Sequence, residues 1–334
     1  ENDGAIQDGA AISIVNRTGY KGLGDIAVTG GTFTAKSGNA AIKAYNWANN
    51  TESNFTASDK VAVSGGTFSS IPDNMDALCK DGYVPVKNED GYAVQTGTYV
   101  AEVGSKKFVS LADAIAAANA GDTIKLLADL TETDAEGKAI VYDLTGKTLD
   151  LNTFTYSHNN FAHVFEGTGG TIKNGKMVCL EGSSYALFIG DEGDTTSFTV
   201  DGVELTGGIN IFNASGVVLK NLTVNGSNYY AVWLDEHAAA TIESGTYNAG
   251  DNVVFNAHTD SALTVTGGTI NTNGKGLMGT SGGTLSVSGG TFDAEVPENC
   301  CAAGYIPQDK GDGIYGVKEG TYVAEYNGKK YESL

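Results

Sequence analysis

Along much of the chain, apolar residues alternate with Thr or Ser for a few positions, and the run then breaks at a glycine pair. The clearest copies are LTVTGGTI (263–270) and LSVSGGTF (285–292). Others are IAVTGGTF (26–33), VAVSGGTF (61–68) and ATIESGTY (240–247), with looser versions GTIKNGKM (170–177), FTVDGVEL (198–205) and VVLKNLTV (217–224). In each, one parity is apolar, as in Leu263 and Val265 or Leu285 and Val287. Period-two alternation over so short a run predicts a half-buried strand. The glycines end it, because a residue without Cβ accepts positive φ. After the bend, Ile270 or Phe292 turns inward again. In the second half of the chain the copies start at positions 170, 198, 217, 240, 263 and 285. A period near 23 predicts a repeat architecture.

A second apolar strand precedes most copies: YALFIG (185–190), INIF (209–212), YAVWLD (230–235) and NVVFNA (252–257). Strand, loop, strand, bend, strand leaves no room for a helix within one such period. These units bury their apolar edges only by stacking on the same segment one repeat away, which makes an all-β parallel solenoid. The pattern resembles a right-handed parallel β-helix of the pectin-lyase type over most of 5–75 and 122–295. That resemblance implies the fold. It leaves open polysaccharide lyases, glycoside hydrolases, phage tail-spikes and surface adhesins.

A longer repeat overlies the short one. Residues 64–111 and 288–334 share SGGTF, a Gly-Tyr pair (82–83 and 304–305) and GTYVAE (97 and 320), a period of 223. Cys79 corresponds to Cys301. The expected organisation is the C-terminal part of a first β-helix (1–75), a junction of small β elements (76–109), a capping helix (110–121), a second β-helix (122–296) and a second junction (297–334) that begins a further module. On this reading the sequence is a segment of a longer tandem array. Within the junction, GTYVAEVGSKKFVSL (97–111) predicts a hairpin with a Gly-Ser turn. SLADAIAAANAGD (110–122) predicts a short helix with Ser110 as N-cap and Gly121 at its end. Such a helix would cover the open end of a solenoid. The combination of this closing segment and the helix resembles modules of large secreted or wall-attached, adhesin-like proteins of gut Firmicutes, which implies an extracellular, cell-surface location.

Composition narrows the partners. Forty acidic residues against 20 basic give a net charge of −20, and Arg17 is the single arginine. A surface so acidic repels phosphate backbones, so no nucleic-acid partner is expected. No apolar run reaches the ~20 residues of a membrane span, so no membrane insertion of this segment is expected. No secretory leader is read within it. Cys79, Cys179, Cys300 and Cys301 lack zinc-site spacing. Cys179 reads as a small buried hydrophobe, and a disulfide from Cys300 or Cys301 is left open.

Stacking also aligns the loops that follow the second strand, at about 4.8 Å per coil. They bring Asp191, Asp194, Asp235, Glu236, His237, His258 and Asp260 towards one edge, with Tyr229, Tyr230 and Trp233 nearby. Four readings compete. As an enzyme, a hydrolase or lyase would use Asp235, Glu236 and Asp260 at glycosidase separations, with His237 or His258 moving protons. As a binding face for a glycan or host surface protein, Tyr229, Tyr230 and Trp233 would stack on sugar rings, with Asp235 and His258 as polar partners. Calcium at Asp191 and Asp194 is a third option; no other cofactor is implied. The fourth is that these are solvated turns. The alternation in YAVWLD leaves Trp233 either inside or displayed. Taken together, the sequence favours a non-catalytic surface stalk that also contacts neighbouring modules of its own kind, with a carbohydrate-active enzyme as the alternative.

Overall fold

The computed structural model describes residues 9–16, 24–36, 38–46, 60–133, 140–159, 163–180, 185–191, 195–226, 228–279 and 281–333. Strand accounts for 54% and helix for 5%, so the chain is all-β, as the alternation predicts. It divides into two compact units, Glu1–Asp113 and Ala114–Leu334. The division falls inside the helix Leu111–Ala117.

The second unit is a parallel β-solenoid of about seven turns. Its first side stacks Thr123–Leu126, Thr148–Asp150, Thr171–Cys179, Thr199–Thr206, Val217–Lys220, Ala239–Ile242, Ala262–Val265 and Thr284–Val287. A single inward column runs rung by rung through these strands: Ile124, Leu149, Ile172, Val200, Leu219, Ile242, Val265 and Val287, all fully buried. From Ile172 onward each member is the third residue of its octamer, so the register of the sheet repeats the spacing read from the sequence. Past the bend, the second side carries Tyr156, Met177, Leu205, Val224, Tyr247, Ile270 and Phe292 in one buried column. The third side holds Tyr142, Phe165, Ile189, Ile211, Leu234 and Ala257. Each large apolar side chain so buried contributes about 1.5–3 kcal/mol, and three such columns form the core of the prism.

The bend between the first and second sides comes in two forms. In earlier coils the left-handed residue is Asn174, Gly202 or Asn221, at φ 61°, 66° and 55°. Asn is one of the few residues that tolerates this region, because its short polar side chain bonds locally. Asn221 donates to Asp201 Oδ1 at 2.8 Å. In later coils the positive φ moves one residue on, to Gly245, Gly268 and Gly290 at 112°, 95° and 104°. That region is closed to side chains, which is why the intact octamers keep a glycine there.

Beyond the second-side strands, Asn248 Nδ2 donates to Asn225 Oδ1 at 2.8 Å and Asn271 Nδ2 donates to Asn248 Oδ1 at 2.7 Å. Three half-buried amides thus chain along the solenoid. Asn248→Ala removes both bonds and leaves an acceptor and a donor unmatched, an expected loss of about 1–3 kcal/mol. Urea unfolding of Asn248→Ala beside the exposed Lys275→Ala measures it, and a change no larger than the latter's would show that the chain of amides is ornamental.

The first unit has longer coils. Ile12–Asn16 pairs with Ile42–Asn46, and Ile26–Phe33 with Val61–Phe68. Its core gathers Val28, Ile42, Val61, Val63, Phe68, Met75 and Leu78. The junction forms as read: Tyr83–Asn88 pairs antiparallel with Gly91–Thr96, and Ala101–Val103 with Lys106–Phe108 around Gly104-Ser105. Ser110 Oγ accepts from the Asp113 N–H at 3.1 Å, which caps the helix as expected. The helix is shorter than the sequence suggests and ends at Ala117. Ala114, Ile115 and Ala118 are buried, and Lys147 Nζ donates to the Ile115 carbonyl at 3.2 Å.

Candidate functional site

On the third side, odd and even positions separate cleanly. Val232 and Leu234 point into the prism, so Trp233 and Asp235 point out of it. The outward column is Val141, Val164, Phe188, Asn210, Trp233 and Asn256. Asn210 and Asn256, one strand to either side of Trp233, are only 5% and 2% exposed. Asn210 lies on the rung between Phe188 and Trp233, on a face carrying several aromatic rings, and Asn256 packs against Gly279, where a Cβ would fall 2.3 Å from Asn256 Oδ1. Tyr185 packs on Phe188 edge to face at 5.6 Å and on Trp233 at 5.6 Å. Tyr229 stacks on Tyr185 at 5.5 Å, and Tyr230 meets Trp233 edge-on at 6.1 Å. Gly208 lies beneath the Tyr185 ring, where a Cβ would fall 2.8 Å from it, so the absent side chain there lets the ring lie down. Burial pushes the Tyr185 hydroxyl far up, against a hydrogen bond with the Tyr230 backbone, and the charges of Tyr230, Tyr229 and Asp235 add to the rise. Tyr229, the outermost ring, stays 40% exposed. The result is a shelf whose floor is Trp233 and whose rim is Tyr229. Trp233 Nε1 and Asn256 Oδ1 are buried without a hydrogen-bond partner among the described residues.

The polar candidates fall into two groups. Asp235 and His258 occupy adjacent rungs, and Asp235 Oδ1 lies 2.8 Å from His258 Nδ1. The same oxygen accepts from the Glu236 N–H at 3.0 Å. The His258 ring lies 5.4 Å from that of Trp233, so the pair forms one end of the shelf. Glu236, His237 and Asp260 are the left-handed residues of the adjoining turns, at φ 47°, 62° and 67°. His237 and Asp260 approach only to 4.0 Å, with both side chains about two-thirds exposed. An ion pair this exposed contributes little. The turn geometry accounts for these three residues.

Asp191 belongs to a different neighbourhood. Asp143 and Glu166 sit on consecutive rungs, and Asp191 lies on the next coil. Partial burial raises the Glu166 carboxyl above its ordinary range, and the charges of Asp191 and Asp143 add to it. Asp194 and Arg17 lie outside the described residues. Among the described residues no group of three or more His, Cys, Asp or Glu is placed to hold a metal ion, and no helix is long and apolar enough to cross a membrane. Cys79, Cys300 and Cys301 are free thiols, and Cys179 and Cys300 are buried. Burial and Asp76 push the Cys79 thiol up to about 11, against a hydrogen bond from Tyr99.

Sequence reasoning missed Tyr185, Asn210 and Asn256, although INIF and NVVFNA each carry an asparagine in the outward phase. It also found one polar column where the structure has two. A groove of about 540 Å³ runs over the bend on the earlier coils, lined by Asp150, Asn174, Lys176, Glu204, Asn221 and Thr223. Its charges are matched: Lys176 with Glu204 at 2.9 Å, and Asp150 with the adjacent Lys173 at 3.5 Å. A third cluster is buried. Tyr142 and Tyr156 both donate to Glu132 Oε2, at 2.6 and 2.8 Å, and Tyr156 Oη lies 2.8 Å from His163 Nδ1. The His158 ring stacks on that of His163 at 5.0 Å.

Comparison with known proteins returns no matching family model, no matching curated protein and no matching solved structure.

Proposed function

We propose that this chain is a non-catalytic, extracellular stalk segment of a bacterial surface protein, of the adhesin-like, pectin-lyase-like kind its repeats resemble, and that the aromatic shelf on its third side binds neutral glycans. The observation that carries the reading is the Tyr229–Tyr185–Trp233 stack, in which the buried Tyr185 ring backs the 40% exposed Tyr229 ring on the outward face. Sugar rings present apolar C–H faces to such surfaces, and aromatic anchors dominate binding energy where they are held rigid. The pairing of Asp235 with His258 supports binding over catalysis. That carboxylate already accepts two hydrogen bonds, and Glu236, His237 and Asp260 face water rather than a shared reacting atom. Asp235 and His258 are then rim partners for sugar hydroxyls. The net charge of −20 favours uncharged over acidic glycans.

A glycan panel tests the reading. The expected result is binding of neutral oligosaccharides without release of reducing ends or unsaturated products. Tyr229→Ala, which removes an exposed ring and leaves the core intact, should weaken binding about tenfold, and Tyr229→Phe should restore most of it. Turnover of any glycan, or binding indifferent to Tyr229, would overturn the proposal.

A further inference from the structure

Trp233 and Asn256 are partners on adjacent rungs of the third side, both in its outward phase. Neighbouring rungs lie about 4.8 Å apart. The indole Nε1–H is a donor only, and an amide oxygen is an acceptor only. Trp233 Nε1 and Asn256 Oδ1 are both buried without a hydrogen-bond partner among the described residues, and Asn256 as a whole is 2% exposed. Leaving a buried polar atom unmatched costs stability, so such atoms call for an explanation. Other amides of the same solenoid are matched. Asn248 bonds to both Asn225 and Asn271, Asn221 to Asp201, and Asn273 to the Ala249 carbonyl.

The next coil leaves room for the amide. A bridge from Phe255 to Met278 sets Gly279 beside Asn256 in the outward phase. The Asn256 oxygen occupies the space that a side chain at 279 would take. On its other flanks the Trp233 ring meets Tyr185 at 5.6 Å, His258 at 5.4 Å and Tyr230 edge-on at 6.1 Å. Tyr230 follows the exposed Tyr229 in the rim, ahead of the strand Val232–Asp235. The two unmatched atoms therefore lie below the rim, at the end of the shelf where Asp235 pairs with His258.

We propose that Trp233 Nε1 and Asn256 Oδ1 form a hydroxyl subsite of the shelf, in which one hydroxyl of a neutral sugar accepts from the indole and donates to the amide. The inference rests on the glycan reading above and deepens it. A hydroxyl fits because its single oxygen is both donor and acceptor. An ionised carboxylate has no proton for the amide oxygen, and an ammonium has no lone pair for the indole. The subsite thus selects uncharged sugars by hydrogen bonding, in the same sense as the net charge of −20 does at longer range. Both atoms are shielded from water, so the hydroxyl enters as the Tyr230 ring turns aside, while Tyr229 remains the outer stacking face. A sugar without a hydroxyl at that place leaves both groups unmatched and is rejected.

Calorimetric titration of the full chain with cellotetraose, xylotetraose and mannotetraose tests this, together with the indole proton signals. The chain has two tryptophans, so Trp47→Phe assigns the signal of Trp233. A sugar that binds should move the Trp233 indole proton downfield, as a new acceptor does. Gly279→Ala, whose methyl displaces the Asn256 oxygen, should weaken binding about tenfold and leave the urea midpoint close to that of the original chain. Asn256→Ala should weaken binding to the same extent and answers the question if Gly279→Ala does not fold. A bound sugar that leaves the Trp233 proton where it was, or affinity that falls in Tyr229→Ala but not in these two variants, would overturn the subsite and leave the glycan reading standing. A Trp233 indole proton already downfield in the free chain would do the same. If none of the three sugars binds, the glycan reading fails and the subsite goes with it.

Discussion

Gly245→Ala should cost the second solenoid about 3–5 kcal/mol, several times the cost of Gly274→Ala. Gly245 sits at φ +112°, and a Cβ built there falls 2.4 Å from the Leu222 carbonyl oxygen and 2.6 Å from its nitrogen. Both atoms are backbone of the preceding coil, so no side-chain rotation relieves the contact. The disallowed dihedral contributes about 1–3 kcal/mol. Forcing apart a close-packed rung adds about 1–3 kcal/mol more. Gly274 also has positive φ, +73°, but a Cβ there meets nothing within 4 Å. It carries only the left-handed penalty, about 1–2 kcal/mol. Chemical denaturation of the two variants compares them directly. Equal costs would mean that dihedral strain alone, and not the spacing of coils, decides which octamers keep glycine.

That contrast explains how much of this molecule can be read from its sequence. The octamers reveal both the stacking and its register because alternation and glycine are local consequences of a global fact: each coil must match the next. Even the long step from Ile172 to Val200 and the short one from Val200 to Leu219 appear unchanged in the strand pairing. The Ser110 cap and the Gly104-Ser105 turn were legible for the same reason, since both are local hydrogen-bonding or dihedral requirements. The site was legible only in part. Asp235, His258, Tyr229, Tyr230 and Trp233 do lie together on one face, because a common period carries them there. Glu236, His237 and Asp260 share that period but serve the turns, and a spacing argument does not separate an αL turn residue from a ligand-facing one. Tyr185 was hidden because it reaches the shelf from a different coil, over Gly208. The direction of Trp233 required knowing the parity of its neighbours Val232 and Leu234, which two apolar flanks on a short strand do not reveal.

The buried cluster around Glu132 is the clearest case of chemistry the alternation conceals, and it carries the other large effect. In TYSH (155–158) and HVFE (163–166), Tyr156, His158 and His163 are all at most 1% exposed. Tyr156 fits because one oxygen of Glu132 accepts from it and from Tyr142, and His158 Nε2 lies 3.0 Å from the Ala186 carbonyl. Tyr156 has a single proton and gives it to Glu132. The 2.8 Å contact with His163 Nδ1 is therefore a hydrogen bond donated by the imidazole, and His163 carries its proton on Nδ1. Desolvation and the Glu132 charge drive both tyrosine hydroxyls far above their ordinary range, so they remain donors at any pH the fold survives. Glu132→Ala removes the shared acceptor from two buried hydroxyls. At about 1–3 kcal/mol for each unmatched group, with Tyr156 able to turn to His163 if that ring changes tautomer, the expected loss is about 2–4 kcal/mol. Glu132→Gln keeps a carbonyl oxygen in place and should recover more than half of it. Denaturant unfolding of the two variants gives the energies, and nitrogen chemical shifts of the His163 ring report the tautomer. Equal losses in both variants would show that charge, and not the shared acceptor, holds the cluster. A His163 proton found on Nε2 in the unmodified chain would break the donor chain itself.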